Sequence, residues 1–304
     1  MNRLALTVLV HEGPMARSYL GVLYAAGFKV ERIVMLVSKR DLAHRRMVAP
    51  WLPVAMRRPL ARLMQDLRMN HWSRELLRRH PEVCQPWLQE LAGSCGVNVD
   101  VFDGLTERPD YARYADRVDE VFVDGLTDPA LEQHLRGLPG CRAILFTGGG
   151  MVPATLLNIP GCRFIHVHPG VLPHVRGADG LLWSLLLRGR PGATAFYMSP
   201  GLDTGDIICA SDLDLPPIPK GFAQLDTAMA YRLLYAFVDP MLRAVMLRQV
   251  ILGAPGDLCS LQTSPQQESE GTTFHFMNTR LRRFAFDRLS ALATTTPSPV
   301  GAQS

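Results

Sequence analysis

The 304-residue chain has no run approaching the ~20 uninterrupted apolar residues that a membrane-spanning helix needs, so an embedded role is not expected. It has no Cys-x-x-Cys pair. Its six cysteines (Cys84, Cys95, Cys141, Cys162, Cys209 and Cys259) are scattered, which fits reduced thiols better than a disulfide framework or a zinc knuckle. Residues 1–10 are too short and too strand-like for a signal peptide, and no small-residue cleavage site follows, so a cytoplasmic location is expected. No internal repeat is visible. Lysine is scarce, with Lys29, Lys39 and Lys220 alone, and arginine carries the rest of the positive charge.

What is present is the composition of a globular protein, 47% hydrophobic and 20% charged. The length suits one large domain with an appendage, or two modest domains. The net charge of +4 is unevenly spread: residues 39–80 hold eleven lysines or arginines against Asp41, Asp66 and Glu75. That segment carries a surplus of +8 and the remainder −4. Such asymmetry suits an anionic partner, but a charge run is more often a solvated helical face, and the sequence favours that reading.

Residues 4–10 form a continuous apolar run, as in a strand buried on both faces. A helix over 16–26 and a second buried strand over 30–37 complete a βαβ unit and predict a parallel sheet. Residues 40–95 interrupt the alternation. Leu60, Leu63, Met64 and Leu67 fall at helical spacing, and Ser73 is a candidate cap for a second helix, so this basic stretch reads as a helical insertion. Strands are expected over 97–102, 120–123, 143–146, 163–167, 193–198 and 207–213, with helices over 129–136 and 180–188. Residues 225–250 read as one long helix bent at Pro240. Residues 272–277 read as a late strand, 279–292 as a final helix, and the tail from about 294 as disordered. The fold class is therefore α/β: a Rossmann-like, mostly parallel sheet with a helical insertion and a mainly helical carboxyl-terminal extension. The catalytic domain is expected over residues 1–215 and the extension over 216–304.

The stretch from Phe164 to Ile208 is the most informative. Ile165-His166-Val167-His168-Pro169 delivers His168 to the carboxyl end of a strand, where open α/β sheets place their ligands. Strand alternation puts His166 and His168 on one side of the backbone. Two prolines then lead the chain away to Arg176-Gly177. About thirty residues further comes Gly201-Leu202-Asp203-Thr204-Gly205, a glycine-flanked turn that lets Asp203 face the first loop. Taken alone, two strand histidines are usually hydrogen-bonded packing residues. Two imidazoles and a carboxylate also suit a metal.

The spaced set His168-Pro169, Leu172-Pro173, Arg176-Gly177, Trp183, Gly192-Ala193-Thr194 and Gly201 through Ile208 strongly resembles the formyltransferases that use 10-formyltetrahydrofolate. The resemblance is dense over residues 142–215, weaker over 4–37, and poor over the basic insertion and the carboxyl end. It implies a catalytic Asn, His and Asp. His168 and Asp203 match the last two, whereas His166 stands where the family has Asn. By the resemblance His168 would move the proton, Asp203 would orient it, and His166 would hold the oxyanion by donating a hydrogen bond. The loop Gly148, Gly149, Gly150 and Met151, with Met198, Gly201 and Leu202, would hold the pterin of the folate. No metal is expected, because the resemblance explains the same residues without one.

Phe274, His275 and Phe276 receive no role, the helix residues around Trp183 are read as core, and Asp179 and Asp206 are read as supporting groups. Glu12, near the amino-terminal loop, would repel phosphate, which argues against a glycinamide ribonucleotide acceptor. The family member acting on methionyl-tRNA carries a carboxyl-terminal barrel whose many-strand pattern is missing here. A nucleic acid is therefore not expected as acceptor. A small-molecule or carrier-bound amine is, with a homodimer permitted by the sequence and not demanded. The rival readings are a 10-formyltetrahydrofolate hydrolase and a catalytically altered folate-binding or partner protein.

Overall fold

The computed structural model describes residues 1–294 except 108, 141, 217, 254–256 and 268–269. The expected disordered tail lies outside the described residues, as does Cys141. In chain order the elements are β1 (Asn2–His11), α1 (Pro14–Ala25), β2 (Phe28–Ser38), α2 (Val54–Met69), α3 (His71–Arg79), α4 (Pro81–Ser94), α5 (Asp103–Thr106), β3 (Ala115–Val123), α6 (Pro129–Arg136) and β4 (Arg142–Phe146). They continue with α7 (Ala154–Leu157), β5 (Cys162–His168), β6 (Val175–Gly177), α8 (Gly180–Arg188), β7 (Gly192–Tyr197), β8 (Ile207–Asp212), α9 (Thr227–Leu233), α10 (Asp239–Gly253), β9 (Thr272–Phe274) and α11 (Thr279–Thr294).

Seven strands form one sheet in the order β3-β2-β1-β4-β5-β7-β8. The first five run parallel, while β7 and β8 are antiparallel to their neighbours. β1 shows why the apolar run is continuous. Val8 and Val10 enter the larger core cluster on one face, and Leu9 enters the smaller one on the other, so alternate side chains are buried on both sides. The order in which strands are added to the sheet reverses between β1 and β4, and the carboxyl ends of β4 and β5 open onto the ligand edge expected of such a sheet.

Several expectations change. Residues 97–102 contain a 3-10 turn over Val99–Phe102 rather than a strand, with the Asn98 side chain accepting from the amide of Asp100. The alternation of Val97, Val99 and Val101 mimics a strand, but the Asx turn at Asn98 wins. Ser73 lies buried inside α3 and caps nothing. The long helix is present as one continuous run over residues 227–253, and a π-helical turn over Leu234–Val238 lies immediately before Pro240, whose ring and missing amide it accommodates. The late strand shortens to β9, which pairs in parallel with β6 as a separate two-stranded sheet.

The insertion is helical as expected, and its charge is mostly met locally. Arg40, Arg58, Arg62, Arg68, Arg74, Arg78 and Arg79 each face a carboxylate. At its root Arg17 of α1 bonds Glu12 at 2.8 Å and pairs with Asp66 of α2. Asn70 and the Tyr111 hydroxyl complete the coordination of Glu12. Glu12 is thus absorbed in a buried network tying the insertion to the amino-terminal loop, and its charge is not presented to an incoming phosphate.

Candidate active site

β5 brings both histidines to its carboxyl end, with His166 opposite Phe196 and His168 opposite Thr194 of β7. Both are buried. His168 Nε2 lies 2.8 Å from the Val175 carbonyl oxygen, and since a carbonyl only accepts, Nε2 carries a proton. Its Nδ1 lies 3.4 Å from Asp203 Oδ1. The meeting of these two loops, expected from the sequence, is therefore present in the fold. Asp203 takes a left-handed conformation (φ 53°), and its Oδ2 accepts from the Gly177 amide at 2.8 Å. Burial opposes ionising this carboxyl, but the neighbouring His168 ring and then the Gly177 amide outweigh burial and hold it below its usual range.

His166 is oriented differently. Its Nδ1 lies 3.1 Å from the Phe146 carbonyl oxygen at the end of β4. Its ring sits edge-on to Phe196 and tilted against Phe146, both at 5.9 Å between centroids. Burial first, then the nearby Arg243 guanidinium, lowers its pKa to about 4, so the ring is neutral at pH 7. A neutral ring with its proton on Nδ1 offers Nε2 as an acceptor. That is the opposite polarity from the oxyanion donor expected of this position.

Around these residues lies a cleft of about 450 Å³, within the range of small-molecule sites. Gly149, Gly150, Met151, Met198, Gly201 and Leu202 line one part of it, as expected. Gly148 does not; it packs so closely on the Phe146 ring that a Cβ there would stand 2.6 Å from it. Residues that the sequence reading did not single out for the site line the other part: Tyr231, Tyr235, Arg243 and residues 273–276. Only the alternation of aromatics over 274–276 hinted at a half-exposed strand, and nothing local said what it would face. β9 arrives by pairing with β6. Trp183 stacks on Phe274 at 4.5 Å and donates Nε1–H to the His275 carbonyl, so it holds this wall as well as packing on the core. Asp179 is a wall residue too: its carboxylate accepts from the Tyr231 hydroxyl at 2.7 Å and the Met277 amide at 2.8 Å. Asp206 contributes its backbone carbonyl to Tyr197. Among the described residues no group of three His, Cys, Asp or Glu is placed to hold a metal ion, and no helix is long and apolar enough to cross a membrane.

Comparison with known proteins gives this geometry a setting. The formyl transferase family profile matches residues 125–219. Methionyl-tRNA formyltransferase of Syntrophus aciditrophicus is 36% identical over 124 residues, which is 40% of this chain and 38% of that protein. Cytosolic 10-formyltetrahydrofolate dehydrogenase of Mus musculus is 34% identical over 89 residues, 29% of this chain and 9% of that one. Among solved structures, a sugar N-formyltransferase from Shewanella sp FDAARGOS_354 aligns over 95% of this chain and 88% of its own, with 10% identity and a TM-score of 0.42. The match spans about two fifths of the length of the first of these relatives. The profile match contains β5, the turn at Asp203 and the strands between them. Through this segment the chain is similar to the formyl transferase family.

Proposed function

We propose that the chain transfers the formyl group of 10-formyltetrahydrofolate to an amine of a small biosynthetic acceptor: an amino sugar, an amino acid or a carrier-bound amine. The observation that carries this reading is the meeting of His168 and Asp203, distant in sequence, beside a cleft of about 450 Å³. The part lined by Gly149, Gly150 and Met151 with Met198 and Leu202 suits a flat ring, because the glycines leave backbone open to close approach and the other side chains are apolar.

Attack by an amine on the formyl carbon creates negative charge on the carbonyl oxygen and a surplus proton on nitrogen. The ionised Asp203 beside His168 stabilises a charged imidazole next to the developing oxyanion. Asp203 is itself held by the Gly177 amide, so the pair is oriented before the reactants arrive. The Arg243 guanidinium in the cleft wall is engaged by Asp239 and by the Val167 carbonyl. That leaves the Tyr235 hydroxyl and the aromatic side chains of residues 274–276 to recognise the acceptor. Among the described residues of the carboxyl-terminal extension the one named strand is β9, without the many strands of a barrel, which favours a small acceptor over a nucleic acid.

The test is to incubate the protein with 10-formyltetrahydrofolate and a panel of amines, following formate release and a mass gain of one formyl group on each amine. Formylated amine is the expected product. Formate release that is indifferent to amine would replace transfer with hydrolysis.

A further inference from the structure

We propose that His166, rather than His168, takes the proton from the attacking amine: its Nδ1–H is committed to the Phe146 carbonyl, so the ring turns its Nε2 lone pair toward the cleft, and Arg243 with Asp239 is the positioning pair behind it. The inference deepens the formyl-transfer reading and rests on it.

Hydrogen-bond geometry separates the two rings. His168 commits Nε2–H to the Val175 carbonyl and turns Nδ1 to the Asp203 carboxylate at 3.4 Å, so the nitrogen that could carry a lone pair faces Asp203 and not a substrate. His166 has one acceptor, the Phe146 carbonyl, and its Nε2 has no hydrogen-bond partner among the described residues. Both rings line the same cleft. The charged and titratable groups facing His166 are Arg243 from α10, His168 from its own strand and Asp203 from the turn after β7, with Asp239 beyond Arg243. Arg243 donates to the Val167 carbonyl at 3.1 Å, fixing its cation against the backbone between the two histidines. Its helix lies beyond residues 125–219, so this control over the site comes from outside the family match.

The step balances as follows. The amine nitrogen forms a bond to the formyl carbon, and the carbonyl π pair moves to oxygen, where the His168–Asp203 pair receives the charge. One proton leaves the nitrogen, now cationic, for His166 Nε2, while Nδ1–H stays on Phe146. The oxygen pair then reforms the carbonyl, the bond to the donor nitrogen breaks, and that nitrogen leaves with the proton from Nε2. A deformylated donor, a formamide and an unchanged imidazole result.

Nitrogen-15 spectra of the histidine-labelled full chain read the ring state without turnover. A protonated Nδ1 and an unprotonated Nε2 on His166 at pH 7, with a titration near pH 4, is the expected result. A proton on Nε2 at pH 7 would overturn the proposal. Arg243→Met should move that titration up toward 6.5 and Arg243→Lys should restore it, a response that a purely structural defect does not give. If Arg243→Met leaves the titration in place, the positioning role is lost. In the transfer assay His166→Phe should lower kcat at least about 100-fold while 5-formyltetrahydrofolate still binds; unchanged kcat removes the base role. A wild-type protein that formylates no amine yet shows the expected His166 spectrum would count against formyl transfer, not against the polarity of the ring.

Discussion

At the residue scale, the site turns on which atom of each ring already has a partner. Asp203 supplies a charge and an unusual backbone conformation together. Asn tolerates φ near +50° about as well as Asp, so Asp203→Asn preserves the turn and removes the charge. We expect kcat for formyl transfer to fall about 100-fold or more with thermal stability little changed. A large drop in melting temperature would instead mark Asp203 as a scaffold residue. His166 makes a separate prediction about acid. Its folded pKa of about 4 lies below the ordinary 6.5, so the unfolded chain binds the proton more readily. The stabilising contribution is complete above pH 6.5 and is lost as pH falls through about 4. Urea midpoints between pH 7 and pH 4 should therefore fall more steeply for the wild type than for His166→Phe.

At the element scale, one short pairing holds a border of the cleft and one buried network ties the insertion to the amino-terminal loop. β9 pairs with β6, and the crossing passes Gly177 at φ 91°, where a Cβ would run into the Phe274 carbonyl. Gly177→Ala should loosen this pairing. Amide hydrogen exchange at Ala178, which donates to Phe274 at 3.0 Å, would then quicken while the seven-stranded sheet stays protected. The buried network lies at the root of the insertion. Arg17 is 1% exposed and stands between Glu12 and Asp66. Arg17→Met would leave Glu12 buried without a cation, while Asp66 keeps Arg74, at a cost of about 3–5 kcal/mol of stability. Equilibrium unfolding measures that loss, and a change below about 1 kcal/mol would show the network to be unimportant. Ion pairs across the exposed arginines of the insertion should matter far less.

For the whole molecule, the boundary drawn near residue 215 separates catalytic motifs from the rest of the sequence but does not separate two cores. Leu233, Leu234, Phe237, Met241 and Met246 join Val8, Val10, Tyr19 and Val167 in one buried cluster. A fragment ending at residue 215 would expose the apolar face that α10 covers, and its Val167 carbonyl would lose the Arg243 guanidinium. Such a fragment is expected to bind a hydrophobic dye and to lack a cooperative melting transition. A cooperative melt from residues 1–215 alone would show that the extension is dispensable.

The amino-acid order by itself determined the elements whose signals are local. The continuous apolar runs became β1 and β2, α8 formed over 180–188 as expected, and the spaced His-Pro, Arg-Gly and Gly-Leu-Asp-Thr-Gly motifs marked His168 and Asp203. Local pattern misled where a capping side chain competed with alternation, as at Asn98. Tertiary structure alone decided what surrounds the two histidines. Whether an imidazole donates or accepts depends on the neighbouring strand's carbonyl and on a guanidinium from a helix some eighty residues away, and periodicity carries no information about contacts made at that separation.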